Sequence, residues 1–233
     1  EFQKAVDLNL QTINDFSEIE HTLKEDIAQS HQQLAFAYFQ LDQFEHTVKH
    51  ELLAITLYTP ISAEYFNALI ISHGNLALSY SKLNQPTLAL KHDLKKLDLL
   101  NKFVSNNTLQ AADTWVSIAN SQNKTNDTTN AKKSYLKALA LYKTLNNSDS
   151  NINEVHAYLA QLALNKNNYA TVINYYKQVV NYYEKQTINS NNEEDLLRAY
   201  HNLAFAFNAT NQYQQAYEIN QKHLLQKSKS KNN

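Results

Sequence analysis

Apolar positions recur along this chain at helical spacing, and the whole pattern then recurs at a longer one. Leu23, Ile27, His31, Leu34, Tyr38 and Leu41 follow i, i+3/i+4 spacing, and Tyr65, Leu69, His73, Leu76, Tyr80 and Leu83 repeat it. The offset is 42 residues, and it carries downstream from Lys49-His50-Glu51-Leu52 to Lys91-His92-Asp93-Leu94. Trp115-Val116-Ser117-Ile118-Ala119 is a third copy at the same offset. His156-Ala157-Tyr158-Leu159-Ala160 follows 41 residues later, and Tyr200-His201-Asn202-Leu203-Ala204 another 44 on. One amphipathic unit cannot bury its own apolar face, so a fixed period of this size predicts a stacked solenoid.

Each unit reads as two helices. A short polar turn divides them: Asp42-Gln43, Asn84-Gln85-Pro86, Asn126-Asp127, Asn167-Asn168 and Asn211-Gln212. Pro86 suits the first turn of a helix, where its missing N–H costs nothing. Ala35, Ala77, Ala119, Ala160 and Ala204 hold one site in all five first helices, and Thr47, Ala89, Ala131, Val172 and Ala216 its counterpart in the second. Small side chains let antiparallel helices approach closely. Phe2 and Ala5 keep the second-helix pattern, so residues 1–14 read as the second helix of a truncated repeat. Repeats are then expected over 20–58, 62–102, 107–145, 150–186 and 193–228, making 1–228 a single array. Linkers are expected near 58–62, 103–108, 146–153 and 187–193, and 229–233 reads as a basic disordered tail.

Composition narrows the picture. Of 233 residues one is Gly, two are Pro and none is Cys. Tight β-hairpin turns and glycine phosphate loops are therefore excluded, as are thiolate metal sites and cysteine nucleophiles. An all-α fold fits. Net charge is −1 and Arg198 is the only arginine, which argues against nucleic acid as partner. No apolar run approaches the roughly 20 residues of a membrane helix, so no membrane insertion is expected of this chain. Nothing in it fixes a compartment; a cytoplasmic setting is preferred to a periplasmic one.

The pattern aromatic, Leu, small, Tyr, followed by an aromatic and a small residue in the second helix, resembles the tetratricopeptide repeat (TPR) family. Leu34-Ala35-x-x-Tyr38 and Leu76-Ala77-x-x-Tyr80 carry it, as do Trp115, Ile118, Ala119, Ala131, Tyr135 and Ala138. The usual glycine is Ala throughout. Gln122 and Ala163 stand where Tyr is expected, so looser packing is expected there. The period exceeds the usual 34 residues. In this the chain resembles the long-helix repeats of kinesin light chains and of bacterial TPR proteins, among them peptide-sensing regulators and sensor input regions. The resemblance implies an all-α, right-handed TPR superhelical solenoid of antiparallel helix pairs. It also implies a concave groove that binds a peptide or protein segment without catalysis. The lysine clamp of chaperone-binding TPR domains is missing: Gln32 and Val116 replace lysines, and Tyr158 an asparagine.

Positions flanking the Leu-small pair are the expected groove. They are Gln32, Gln33, Phe36 and Phe39; Asn75, Leu78 and Lys82; Asn120, Asn123 and Lys124; Tyr158, Gln161 and Asn165; and Asn202, Phe205 and Asn208. A side-chain amide can pair with a ligand's backbone N–H and C=O, and aromatics supply apolar anchors. The competing reading is compositional, because Asn is abundant throughout. The nine histidines suggest metal, with His46 and His50 at i, i+4. However, His31, His73 and His156 share their site with Trp115 and Tyr200, so packing is the expected role. Tyr175, Tyr176, Tyr182 and Tyr183 read as a packed helix face, and sequons such as Asn106-Asn107-Thr108 follow from Asn abundance. No catalytic constellation, cofactor or metal site is assigned. The expected function is a scaffold or adaptor that binds a peptide or protein segment. The alternative is a ligand- or partner-sensing input region of a larger signalling protein, covalently linked to an output domain outside this chain.

Overall fold

The structure, a computed structural model, describes residues 1–16, 24–58, 65–105, 108–187 and 192–230. Among them are eleven helices and no strand. They are α1 (Phe2–Phe16), α2 (Lys24–Gln40), α3 (Phe44–Tyr58), α4 (Phe66–Lys82), α5 (Pro86–Phe103), α6 (Leu109–Lys124), α7 (Thr128–Tyr142), α8 (Asp149–Leu164), α9 (Tyr169–Glu184), α10 (Glu193–Ala209) and α11 (Tyr213–Ser230). The even-numbered helices carry the Leu-Ala pairs. Most of the 58–62 linker and parts of those near 103–108 and 187–193 lie outside the described residues, as do tail residues 231–233. Helix α8 starts at Asp149, inside the stretch expected as linker, and α11 runs on to Ser230.

The turn inside each pair has one design. Asp42, Asn84, Asn126, Asn167 and Asn211 all adopt left-handed backbone, with φ between 54° and 63°. The next residue's N–H then returns five positions: Gln43 to Tyr38, Gln85 to Tyr80, Asp127 to Gln122, Asn168 to Ala163 and Gln212 to Phe207, at 2.8–2.9 Å. This is the Schellman closure, which satisfies carbonyls that the helix end leaves open. Glycine is the usual occupant of the left-handed position. Here Asp and Asn fill it, because their short polar side chains tolerate that region. Hence a chain with one glycine can still make five sharp helix reversals.

By its contacts the chain divides into two compact units, Glu1–Ser134 and Tyr135–Asn233, with the boundary inside α7. In the first unit each of α1 to α5 packs on its successor; in the second α8 packs on α9, α9 on α10 and α10 on α11. The small residues sit at these contacts. Ala35, Ala77, Ala119, Ala160 and Ala204 are buried, as are Thr47, Ala89, Ala131, Val172 and Ala216. Approach is so close at Thr47 that its hydroxyl, on α3, donates to the Ala35 carbonyl of α2 at 3.2 Å. Ala119 has no exposed surface. Ala119→Leu is therefore expected to overpack α6 and cost roughly 1–3 kcal/mol. A thermal melt checks this, and an unchanged Tm would contradict the packing register.

The histidines of the first two pairs pack as expected of ring positions, and they meet each other. His31 and His50 bring their Nδ1 atoms to 3.0 Å, and His73 and His92 do the same. Tyr38 stacks on His50 and Tyr80 on His92, each with ring centroids 5.5 Å apart. In the third pair the ring–ring contact is replaced. Gln122 takes the tyrosine's place and Ser134 the histidine's, and the Ser134 hydroxyl donates to Gln122 Oε1 at 2.8 Å. Ser134 is buried there, so the polar pair fills the space where looser packing is expected from sequence.

Candidate functional site

The candidate residues distribute over the even-numbered helices of both units. In the first unit Gln32, Phe36 and Phe39 lie on α2, Asn75, Leu78 and Lys82 on α4, and Asn120, Asn123 and Lys124 on α6. In the second, Gln161 lies on α8 with Asn165 as its C-cap, and Asn202, Phe205 and Asn208 lie on α10. Phe36, Leu78 and Phe205 each follow a buried alanine by one position and stand about half exposed, at 55%, 51% and 49%. Phe36 meets Phe2 edge-on, and Phe205 meets Tyr169 in the same way. Phe39 is half-buried against Phe44. Lys82, Gln161, Asn165 and Asn208 are exposed, whereas Asn120 and Asn123 are half-buried. Lys124 Nζ reaches the Ser81 hydroxyl at 3.4 Å, joining α6 to α4.

Several of the amides already have work within the fold. Gln32 Nε2 donates to the Ala68 carbonyl and to Ser72 Oγ on α4, while its Oε1 accepts from the Tyr58 hydroxyl at 3.1 Å. Asn75 Nδ2 donates to Glu51 Oε1 at 2.6 Å, and Asn202 Nδ2 donates to the Tyr176 hydroxyl at 2.9 Å. Gln161 and Asn165 bond to each other at 3.1 Å. Gln32, Asn75 and Asn202 thus brace one first helix to its neighbours. An asparagine amide has four hydrogen-bonding positions, so a single internal bond leaves others open.

These braces reveal buried acids that the sequence shows but does not explain. Glu51 and Asp93 hold the same repeat position, and each reaches the first helix of the next pair. Glu51 holds Asn75; Asp93 Oδ2 accepts from the Ser117 hydroxyl at 2.5 Å. Burial pushes both carboxyls up, with the Ser72 and Asn75 contacts opposing it at Glu51 and the Ser117 bond and Lys96 opposing it at Asp93, which reaches about 6. Glu51 Oε2 has no hydrogen-bond partner. The Lys49-His50-Glu51 and Lys91-His92-Asp93 matches are visible in sequence, but the burial of the acids is not.

Cavities open between successive first helices. In the first unit one of about 320 Å³ lies between α4 and α6 over α5. Asn75, Leu78 and exposed Ile71 edge it on one side and Asp113, Thr114 and Ser117 on the other, with Asp93 and Lys96 from below. Gly74, the sole glycine, lies under Lys96: a Cβ there would sit 3.4 Å from Nζ. In the second unit a larger cavity, about 640 Å³, lies between α8 and α10 over α9. Of the expected residues Tyr158 and Gln161 line it; Asn153, Glu154, Tyr183, Asp195 and Arg198 have no spacing that assigns them this role. Among the described residues no group of three or more His, Cys, Asp or Glu is placed to hold a metal ion, and no helix is long and apolar enough to cross a membrane.

Residues 77–200, more than half of the chain, match the profile of the family described as soluble NSF attachment protein, SNAP. The chain belongs to the SNAP family. No curated protein matches it by sequence. Among solved structures, this SNAP-family chain is similar to BtubC (BKLC) from P. vanneervenii, with TM-score 0.75 and 11% identity over 99% of this chain and 92% of that one. It is similar to a putative kinesin light chain from Podosopora anserina with nearly identical TPR-like repeats, with TM-score 0.71 and 18% identity over 92% of this chain and 100% of the other. It is also similar to NprR in complex with its cognate peptide NprX, with TM-score 0.55 and 13% identity over 91% of this chain and 59% of that one. The fold is accordingly a TPR-like helical-repeat solenoid, of the kind that the repeat pattern resembles.

Proposed function

We propose that this SNAP-family chain is a binding scaffold that holds an extended peptide or protein segment against its first helices. The observation that carries the reading is the placement of two cavities, distinct from those along α5 and between α9, α10 and α11. Each opens between successive first helices, and each is edged by residues that the repeat pattern assigns to ligand, Asn75 and Leu78 in one unit and Gln161 in the other. Phe36, Leu78 and Phe205 act as exposed apolar anchors, and Phe39 adds a half-buried ring. Asn120, Asn123, Gln161, Asn165 and Asn208 offer amides to the ligand backbone, and Lys82 and Lys124 offer charge. Gln32, Asn75 and Asn202 hold the floor through their internal bonds and present their remaining amide positions. NprR, seen with its cognate peptide on a similar fold, supports a peptide-sized ligand.

A displayed random-peptide library panned against the whole chain tests the reading. Selected peptides are expected to lose roughly ten-fold in affinity to Leu78→Ser or to Gln161→Ala, since about 1.4 kcal/mol of lost contact has that effect. Circular dichroism should be unchanged, because both side chains are exposed. Selected peptides that bind both variants with full affinity would move the site away from the first helices.

A further inference from the structure

The cavity of the second unit carries more information than its size. Its floor includes Asn153, on α8, whose side chain is 5% exposed. Beside it the Tyr183 hydroxyl donates to Asp195 Oδ2 at 3.3 Å. Asn153 Oδ1 is buried and has no hydrogen-bond partner. A buried carbonyl oxygen without a donor is costly, and proteins seldom leave one so. Asn153 lines the cavity, so a ligand N–H that entered beside it and drew the side chain outward would satisfy this oxygen.

The surrounding groups say which N–H. Two carboxylates line the cavity, Glu154 and Asp195. Glu154 Oε1 accepts from the Tyr158 hydroxyl at 2.6 Å, so its other oxygen remains available. Among the described lining residues the one cationic side chain, Arg198, is turned to Glu194 at 2.8 Å and to Asp195 at 3.6 Å, with its side chain 60% exposed. The lining therefore has two acids against one base, and that base is engaged at the rim. Tyr158, Tyr176, Tyr182 and Tyr183 supply ring surface. Ring faces, carboxylates and an unpaired carbonyl together complement a cation that carries several N–H donors. An acidic side chain would meet like charge, and an apolar one would leave Asn153 Oδ1 unpaired. The volume lies within the range of ligand pockets and exceeds one side chain, leaving room for its flanking residues.

We propose that the cavity between α8 and α10 receives a lysine or arginine side chain of the bound segment, held by Asn153 Oδ1, Glu154 and Asp195 among the tyrosine rings. The inference rests on the peptide-binding reading above and adds the chemistry of one ligand residue. It makes the second unit selective for segments with a basic residue at this point.

Four probes test it: acetylated, amidated alanine pentapeptides whose central residue is lysine, arginine, norleucine or glutamate. Each is titrated into the whole chain while the Asn153 side-chain amide and the tyrosine ring signals are followed by NMR. The lysine or arginine peptide is expected to shift these signals and to bind roughly ten-fold more tightly than norleucine, with glutamate weakest. Glu154→Gln with Asp195→Asn should remove the preference for charge; should that pair unfold, Glu154→Gln alone, at an exposed position, should reduce it. Norleucine binding as well as lysine overturns the cation assignment, and so do shifts that fall outside the cavity. If library-selected peptides bind while the lysine and arginine probes leave the cavity signals unmoved, this inference fails alone. If neither the selected peptides nor any probe binds, the peptide-binding reading fails with it.

Discussion

Lowering the pH from neutral to about 4.5 is expected to lower the Tm of this chain markedly, through two histidine pairs, the first buried and the second partly so. Nδ1 atoms 3.0 Å apart can share one proton but cannot both carry one. Burial is the first cause that holds all four imidazoles below their ordinary value. His50 is held to about 4, with His31, Lys49 and His46 adding repulsion, and His73 also to about 4, with His92 and Lys95 adding theirs. His31 is lowered further by Lys49, and His92 by Lys91. The sign follows from proton counting. Between about pH 6.5 and 4 the unfolded chain binds protons that the folded pairs refuse, so stability is full above that window and drains as pH falls through it. Discounted for the water that reaches the ring edges, the loss is about 2–3 kcal/mol per pair. His31→Tyr with His73→Tyr places at both sites the residue that Tyr200 supplies in the fifth repeat. The double variant should show a clearly smaller fall in Tm between pH 7 and about 4.5. An equal fall would assign the acid sensitivity to other groups.

Asp93→Asn is expected to raise stability at pH 7 by roughly 1–3 kcal/mol. Asp93 is buried, and burial lifts its carboxyl to about 6 despite the Ser117 bond and Lys96. A raised carboxyl has the opposite linkage to the histidines. Its contribution is complete below its unfolded value and is lost as pH rises through about 6, so at neutral pH the fold bears the cost of an ionised, buried side chain. An amide oxygen can still accept from the Ser117 hydroxyl, and the charge is gone. Denaturant unfolding at pH 7 and at pH 4 checks the sign: the gain should be present at the first and largely vanish at the second. A loss at pH 7 would mean that the Lys96 contact outweighs burial. The same variant removes a term that opposes the histidines, so the acid-induced fall in Tm should be steeper in its background.

Fold class was legible because its causes are local and written five times. Each Leu-Ala pair, each small partner in the second helix and each polar turn constrains only its own neighbourhood. The 42-residue echo in the early repeats then separates these constraints from chance. Even so, the turns needed the structure to be understood. One glycine in the chain suggests few left-handed positions, yet Asp42, Asn84, Asn126, Asn167 and Asn211 all occupy them. A residue type that reads as loop composition is here the C-terminal cap of a helix.

The candidate site was legible only as a set of helix faces. Spacing from the Leu-Ala pair gives the direction in which Asn75, Asn202 and Gln32 project, but not what meets them there. Their partners lie on other helices: Glu51 is 24 residues from Asn75, Tyr176 is 26 from Asn202, and Ser72 is 40 from Gln32. The cavity between α8 and α10 is equally non-local, since Asn153, Tyr183 and Asp195 come from three helices and have no common spacing. The sequence by itself determined helix phase, repeat length and the close-packed seam, because hydrophobic period and side-chain size act within a helix and its nearest partner. Only the tertiary structure decided which amides are braces, which acids are buried and which carbonyl is left unpaired, because hydrogen bonding and desolvation depend on the atoms that arrive from elsewhere in the chain.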